Sequence, residues 1–307
     1  MLCFDKFRLV CDNIEYITEM KEDVFISHYR GEELLYYKYQ QTTPFSLLIL
    51  IDYRKNELML EFTSKILRDD CVSLINQTNI HQCLININAL GICRLDIDDI
   101  LMSAKVVKCD VTKDIFMDDL ANVVGNIRKN LSNFKKWVVR EFNDGIVIEN
   151  VVSTNRYKKR LVIYDKEKEL KKATNSHFLN SLLDKDKVIY YFQKKVRFEL
   201  NICTMVQIRT LLLVEDNRLK PVLASTANPI LTIVDEALKR PSAGNDRKDI
   251  LCPQTVFLLD LFSPGPTGPV PPLRNSLFLI LCNVHSCLSR FGFKLLIRYC
   301  LAGAGLI

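Results

Sequence analysis

The chain has 307 residues, which is enough for one large hydrophobic core or two smaller ones. Its hydrophobic fraction of 48% and charged fraction of 25% are ordinary for a globular protein, and the net charge of +6 permits a nucleic-acid partner without requiring one. The eleven cysteines form no CxxC pair, the first residues do not resemble a secretory signal, and no apolar run is long enough to span a bilayer. These features exclude a zinc-finger or membrane-spanning class and predict a cytoplasmic protein.

Strands alternate with helices along the first 240 residues. The strand predictions rest on period-two alternation or on short apolar runs, and the helix predictions rest on apolar residues at helical spacing. The predicted strands are short segments within 4–18 and 23–39, a buried strand at 45–53, alternating strands at 57–63, 91–99 and 196–203, and a hairpin of 146–152 and 157–165. The predicted helices are 64–79, 117–132, 166–172, 205–214 and 230–238.

These elements predict an α+β domain over residues 1–240, with a largely antiparallel sheet. We expect helices on one face of the sheet and an active site on the other, because each alternating strand is apolar on one side only. Beyond residue 240 the composition changes to a Pro/Gly-rich segment followed by apolar residues. We interpret residues 241–307 as an atypical tail that is non-native or disordered; a tail that binds a membrane surface or a partner is the alternative.

The strand around Tyr164 carries the clearest candidate chemistry. Alternation places Lys158, Arg160, Tyr164 and Lys166 on one face and apolar residues on the other. Cations beside a tyrosine hydroxyl hold phosphate oxygens and favour the phenolate, which suits a nucleophile that attacks a phosphodiester. An amphipathic strand at a basic surface, with Tyr164 as an ordinary half-buried aromatic, is the alternative interpretation.

Carboxylates recur on the polar sides of the other predicted strands. Such groups on adjacent strands can hold Mg²⁺ or Mn²⁺, and the metal would polarise a phosphoryl oxygen. A lattice of ion pairs across the sheet surface would use the same residue types. The candidate metal ligands are Glu61, Asp96, Asp98 and Glu199, and the basic residues interleaved with them include Arg94, Arg160, Lys166 and Arg197.

The order of these motifs resembles the rolling-circle replication initiators, and in particular the filamentous-phage gene II replication proteins and the plasmid replication-initiation-factor family. The resemblance covers roughly residues 4–215 and rests on four short motifs. They are Glu61–Leu67, Arg94-Leu-Asp96, Arg160–Lys166 with Glu169 after it, and Arg197-Phe-Glu199. The His-hydrophobe-His motif of many rolling-circle nucleases is missing. In this respect the chain is similar to the branch of these proteins that holds the metal with carboxylates instead.

The resemblance implies a metal-dependent nickase that forms a 5′-phosphotyrosine at the replication origin and frees a 3′ hydroxyl. It implies Tyr164 as the nucleophile, Lys166 as the partner of the scissile phosphate, and Asp96 with Glu199 as metal ligands, supported by Asp98 and Glu61. Arg94 and Arg197 would orient carboxylates or contact DNA together with Lys158 and Arg160. Tyr157, Tyr190 and Tyr191 are the other nucleophile candidates.

The implied partners are single-stranded or supercoiled origin DNA and host replication proteins such as a helicase or polymerase. No membrane partner is expected. A non-catalytic DNA-binding initiator or regulator that kept the fold, which would bind DNA without cleaving it, is the alternative function.

Overall fold

Alternating strands build one large antiparallel sheet in the computed structural model, which describes residues 1–116, 137–152 and 158–238. Each of its neighbouring strand pairs is antiparallel. The strands, including two that form a separate small sheet, are β1 Phe4–Cys11, β2 Ile17–Met20, β3 Ile26–Arg30, β4 Glu33–Gln41, β5 Leu47–Asp52, β6 Glu57–Thr63, β7 Cys93–Leu95, β8 Lys105–Phe116, β9 Trp137–Phe142, β10 Gly145–Asn150, β11 Arg160–Asp165 and β12 Lys195–Ile202.

The strand order of the ten-stranded sheet is β3-β4-β5-β6-β1-β8-β12-β11-β10-β9. The strands β2 and β7 pair only with each other. The described residues therefore have an antiparallel sheet together with several helices, and the predicted α+β class is confirmed.

Short helices connect the strands. The α-helices are α1 Ile80–Asn88, α2 Ile97–Ser103, α3 Lys166–Leu170, α4 Ser176–Asn180, α5 Lys185–Phe192, α6 Met205–Leu212, α7 Leu219–Ala224 and α8 Pro229–Leu238. The 3₁₀ helices are Ile14–Tyr16, Glu22–Val24, Ser64–Ser73 and Ala173–Asn175. Among these, α6 contacts β8, α8 contacts β12, and α3 contacts both β11 and β12.

The central strands of the sheet bury one face, and along each of them buried side chains alternate with more exposed ones. Phe7 and Leu9 on β1, Leu60 on β6, and Phe198 and Leu200 on β12 are inaccessible to solvent. Each such side chain contributes roughly 1.5–3 kcal/mol of hydrophobic stabilisation. The residues between them are more polar and face the other side, where they form the site described below.

Two predicted elements differ from the structure. The predicted helix 64–79 is a 3₁₀ segment, Ser64–Ser73, with a break at Arg68, whose φ is 56°. The predicted strand 91–99 ends at Leu95, because Asp96 accepts a hydrogen bond from the backbone of Asp99 and caps α2. An N-cap carboxylate satisfies a free helix donor, and this local preference ends the strand pattern.

Two strands, β8 and β9, were not predicted, although β8 is the longest strand of the sheet at 12 residues. The predicted helix 117–132 and the tail 241–307 lie outside the described residues, so both stay predictions. The predicted strands 45–53, 57–63 and 196–203 and the hairpin of 146–152 with 157–165 are confirmed with small changes of boundary. In the part of the chain that the structure describes, no helix has the length and apolar character needed to cross a membrane.

Candidate active site

The polar face of the sheet is the face that carries Tyr164. Residues directly opposite each other in antiparallel strands project to the same side, so the register identifies the members of this face. Tyr164 of β11 lies opposite Arg197 of β12, and Arg197 lies opposite Asp114 of β8. Glu199 and Asn201 alternate with buried neighbours on β12 and therefore project to the same side.

The hydroxyl of Tyr164 donates a hydrogen bond to Oε2 of Glu199, with an oxygen–oxygen distance of 3.1 Å. Burial raises the pKa of Tyr164 well above its ordinary value, and the Glu199 carboxylate raises it further. The phenol is therefore neutral at pH 7 and needs a proton acceptor before it can attack. Glu199 is in the position to accept that proton.

A glycine on the neighbouring strand β10 permits the close approach of the backbone at Tyr164. Gly145 lies opposite Tyr164, and a Cβ on Gly145 would lie 2.2 Å from the carbonyl oxygen of Ile163. Backbone cannot move as easily as a side chain, so any other residue would displace the strand that carries Tyr164.

Glu199 lies in a group of acidic side chains. Burial is the largest cause that raises its pKa to about 7, and the nearby carboxylates of Asp5 and Asp110 add to the effect. Nδ2 of Asn201 donates to Oε1 of Glu199 at 3.1 Å and to Oδ1 of Asp110 at 2.9 Å, and so it joins the two acids. Burial also raises the pKa of Asp110. A base with a pKa near the working pH is well suited to general acid–base chemistry.

Asp5 reaches this site through an irregularity in β1. The register between β1 and β8 shifts between Phe4 and Lys6, and a bulge at such a position redirects a side chain. Burial alone would raise the pKa of Asp5, but Arg197, Lys166 and a hydrogen bond from Ser64 at 2.6 Å outweigh burial and hold the pKa below its usual range. Asp5 is therefore ionised at neutral pH.

Arg197 is the central cation of the site and is only 1% exposed. Its Nε and Nη2 donate to the two oxygens of Asp114 at 2.7 and 2.8 Å, and its Nη1 donates to Asp5 at 3.0 Å. A planar guanidinium that holds a carboxylate by two parallel bonds has a fixed orientation. Arg197 therefore fixes Asp5 and Asp114 in the floor of the site.

Lys166 brings a second cation beside the tyrosine. It follows β11 directly, forms an ion pair with Glu169 at 2.5 Å, and has its ammonium 5.8 Å from the ring centre of Tyr164. Asn175 donates to Glu169 at 2.9 Å and accepts a hydrogen bond from Lys65 at 2.8 Å. Burial and the charge of Lys166 lower the pKa of Lys65. Two lysines therefore lie at one end of the polar face.

A family model provides the comparison that decides the class of protein. The model, which describes the N-terminal domain of the phage gene II replication-associated protein, matches residues 56–218, just over half of the chain. This chain belongs to the phage gene II replication-associated family. The resemblance to the filamentous-phage gene II proteins is thereby confirmed, and the chain is a replication-associated protein. No curated protein matches it.

The predicted catalytic pair, Tyr164 and Lys166, lies within the segment that matches the gene II family, as does Glu199. The structure brings these three residues together on β11, β12 and the start of α3. Their catalytic roles stay predictions.

The four predicted metal ligands do not converge in this gene II-family chain. Glu61 lies on β6 and forms ion pairs with Lys6 and Arg8. Asp96 caps α2 and Asp98 lies in its first turn, beside the small sheet of β2 and β7 rather than the ten-stranded one. Across the described residues, no three or more His, Cys, Asp or Glu side chains form a group suited to a metal ion. The metal roles of Glu61, Asp96 and Asp98 stay predictions without a shared site.

The four basic residues that are predicted to contact DNA differ from one another in exposure and in their ion-pair partners. Arg94 is exposed and lies 3.5 Å from Glu19, and Lys158 forms an ion pair with Glu149 at 3.1 Å. Arg160 is exposed on the strand of Tyr164 and lies 3.4 Å from Asn201. Arg197 has no exposed surface for a phosphate, and its contacts are those of the predicted alternative, in which it orients carboxylates.

Sequence reasoning missed several members of the site. Asp110 and Asp114 alternate with the buried residues Cys109, Val111 and Ile115, and this period-two pattern was the available signal for β8. Asp5 gave no such signal, because its orientation depends on the bulge. Lys65 and Asn175 lie outside regular strands, and only the folded chain brings them together.

Proposed function

We propose that this gene II-family protein starts rolling-circle replication by nicking one DNA strand at the replication origin, with Tyr164 as the nucleophile. The observation that carries the proposal is the hydrogen bond of 3.1 Å between the Tyr164 hydroxyl and Glu199, next to the cations Lys166 and Arg197. A nucleophile, a base with a pKa of about 7 and a charged partner for phosphate are the parts that this chemistry requires.

The proposed reaction is a transesterification. The phenolic oxygen of Tyr164 attacks the scissile phosphorus while its proton passes to Oε2 of Glu199. The bond between phosphorus and the 3′ oxygen breaks, and that oxygen takes a proton from solvent to become a 3′ hydroxyl. The new 5′-phosphotyrosine keeps one phosphodiester bond, so the reverse attack by a 3′ hydroxyl closes the strand without ATP.

Lys166 and Lys65 are proposed to bind the phosphate oxygens. Lys166 is held beside the Tyr164 ring by Glu169, and Lys65 is held by Asn175, which also holds Glu169. This chain of contacts fixes both ammonium groups before substrate arrives. Fixed charges at the place where negative charge develops stabilise a transition state without reorganisation.

We propose that Asp110 and Glu199 are the carboxylates that would hold Mg²⁺ or Mn²⁺. Burial raises the pKa of both, and Asp110 raises that of Glu199 further, so a bound cation would offset the repulsion between them. Mg²⁺ usually takes only one or two protein carboxylates and completes its shell with water and phosphate. When bound, the ion would draw negative charge from the scissile phosphate.

Replacing Tyr164 by phenylalanine is expected to abolish covalent attachment to DNA, because phenylalanine has no hydroxyl. Protein, Mn²⁺ and labelled single-stranded DNA from the replicon's own origin are incubated, and a denaturing gel separates free protein from the protein–DNA adduct. Tyr190→Phe and Tyr191→Phe are the matched controls, since both remove a hydroxyl from α5. An adduct that survives in Tyr164→Phe contradicts the assignment, and its loss in a control would transfer the role to that tyrosine.

Absence of an adduct in the folded wild-type chain would instead favour the non-catalytic DNA-binding initiator. The same experiment therefore separates the two functions.

The proposed site of action is the cytoplasm, where origin DNA and host helicase or polymerase are present.

Metal binding is tested by thermal unfolding with and without Mn²⁺. We expect Mn²⁺ at about a hundred times its dissociation constant to stabilise the wild-type chain by about 2.7 kcal/mol. Asp110→Asn is expected to abolish this gain, whereas Asp96→Asn is expected to keep it, because Asp96 caps α2 away from Glu199. The opposite pattern would assign the metal to Asp96, as the family resemblance implies.

A further inference from the structure

The face that carries Tyr164 continues across the N-terminal side of the sheet, where it includes the apolar Leu48 and Leu50 as well as charged side chains. Arg8 of β1 lies opposite Glu61 of β6, and Glu61 lies opposite Leu48 of β5. The same alternation places Lys38 of β4 opposite Leu50 of β5. Since paired residues share a face, a continuous surface leads from β11 to the edge strand β3.

A stack of planar groups lies at the far end of this surface. The rings of His28 on β3 and Tyr36 on β4 are 4.2 Å apart and nearly parallel, at 22°. The guanidinium of Arg54 lies 5.8 Å from the Tyr36 ring centre, and Asp52 holds it at 2.9 and 3.1 Å. Flat aromatic and guanidinium groups in one stack are the surfaces on which nucleobases pack.

A group of four cations lies between this stack and the acidic site. Lys6 and Arg8 share Glu61 as their partner, while Lys38 and Lys108 belong to the same face with no ion pair among the described residues. Among the described residues, Glu61 is thus the one acidic side chain in an ion pair with this group, and it pairs with only two of the four cations. The positive charge left over is complementary to a phosphate backbone.

The stack lies outside the segment that matches the gene II family. The last of the strands β3, β4 and β5 ends at Asp52, and the match begins at residue 56. Six strand spacings separate β4 from β11, which corresponds to about 29 Å at the usual distance between strands. A strand of DNA held at Tyr164 needs on the order of nine stacked nucleotides to reach that far.

We propose that the strands β3–β5 form a second binding site for single-stranded DNA, in which bases of the strand held at Tyr164 stack on His28 and Tyr36. This second site rests on the proposed function, because it assumes that one end of the DNA strand is bound at Tyr164. The cations of β1, β4 and β8 contact the backbone between the two sites, and the stack holds the bases without reading their sequence. With this second site, the initiator stays bound to the unwound DNA strand beyond the nick.

The test is fluorescence anisotropy of the full chain with labelled oligothymidylates of about 16 and about 4 nucleotides, the range of site sizes for such surfaces. Only the longer one can reach both sites. The double variant His28→Ala/Tyr36→Ala is expected to bind the longer oligonucleotide about 5- to 150-fold more weakly, since stacking on one base has that effect. The affinity for the shorter one is expected to stay the same.

Tyr29→Ala is the matched control. Tyr29 neighbours His28 on β3, is 56% exposed and, because the register shifts between the two residues, pairs with Leu34 rather than with Tyr36. Since His28 and Tyr36 are both half-buried, His28→Ala alone is measured as well, with circular dichroism to confirm that each variant folds. This single variant is expected to weaken binding of the longer oligonucleotide about threefold or more.

Unchanged affinity of both variants for the longer oligonucleotide would overturn the second site, as would an equal loss in Tyr29→Ala. The covalent-adduct assay separates this result from the fate of the proposed function. An adduct with wild-type protein, together with unaffected affinity in the variants, removes the second site and keeps the nickase. A loss of affinity in the variants without any adduct in the wild type keeps the DNA surface and removes the nickase.

Discussion

Glu199→Gln is expected to slow formation of the covalent adduct by about 10²–10⁴-fold, the range that a positioned general base contributes. Glutamine keeps the shape and still accepts a hydrogen bond from Tyr164, but it cannot take the proton. The measurement is single-turnover adduct formation between about pH 5.5 and 8.5, a window centred on the base's titration. The wild-type rate is expected to rise with pH up to about 7, since burial raises the pKa of Glu199 to about 7 and a bound cation would lower it, and the variant is expected to lose this rise.

The same substitution is expected to stabilise the fold at high pH. A carboxyl whose pKa is higher in the folded state binds its proton more tightly there, so its contribution to stability is greatest at low pH and is lost as pH rises from about 4.5 to about 7. In EDTA at about pH 8, Glu199→Gln is therefore expected to unfold with a free energy about 1–3 kcal/mol above that of the wild type. Equal stability of the two proteins at that pH would show that ionisation of Glu199 does not destabilise the fold.

Arg197→Met is expected to destabilise the folded chain by about 3–5 kcal/mol, because it leaves the carboxylates of Asp5 and Asp114 near the protein interior without their cation. Urea unfolding at pH 7 measures the change. Arg160→Met is the matched control: Arg160 is exposed on the adjacent strand, and its loss is expected to cost less than about 1 kcal/mol.

The penalty of Arg197→Met is expected to shrink as the pH falls towards about 4. In the wild type, Arg197 is the largest favourable cause that holds the pKa of Asp5 below its usual range, so Asp5 contributes stability above that range and loses it on acidification. Without Arg197, burial dominates and protonation of Asp5 relieves the folded state. A penalty that does not depend on pH would indicate lost packing against Phe192 rather than lost charge.

The sequence indicates which residues face each other only after the order of the strands is known. Alternation correctly places Tyr164 and Glu199 on polar sides of their strands, because their neighbours Ile163, Phe198 and Leu200 are buried. That β11 and β12 are adjacent, which puts the hydroxyl against the carboxylate, is a result of long-range pairing that local patterns do not encode.

Local preferences explain where the sequence prediction is wrong. The pattern through Leu95 and Ile97 continues as a strand, but Asp96 has the backbone of Asp99 within reach and begins a helix instead. This hydrogen bond was foreseeable, since Asp is among the best N-cap residues. The bulge that turns Asp5 inward has no such signature, because it arises from the register of β1 against β8.

The position of β1 inside the ten-stranded sheet determines which fragments of the chain keep the sheet intact. The strand Phe4–Cys11 lies between β6 and β8, yet it precedes residue 56, where the match to the gene II family begins. A fragment limited to residues 56–218 would lack β1 to β5, so β6 would have no partner strand, the edge of β8 would be unpaired, and Asp5 would be missing. Open inner edges of this kind promote pairing with other chains and aggregation. The segment that matches the family model is thus smaller than the sheet to which it contributes strands, and we expect the folded protein to require the N-terminal strand.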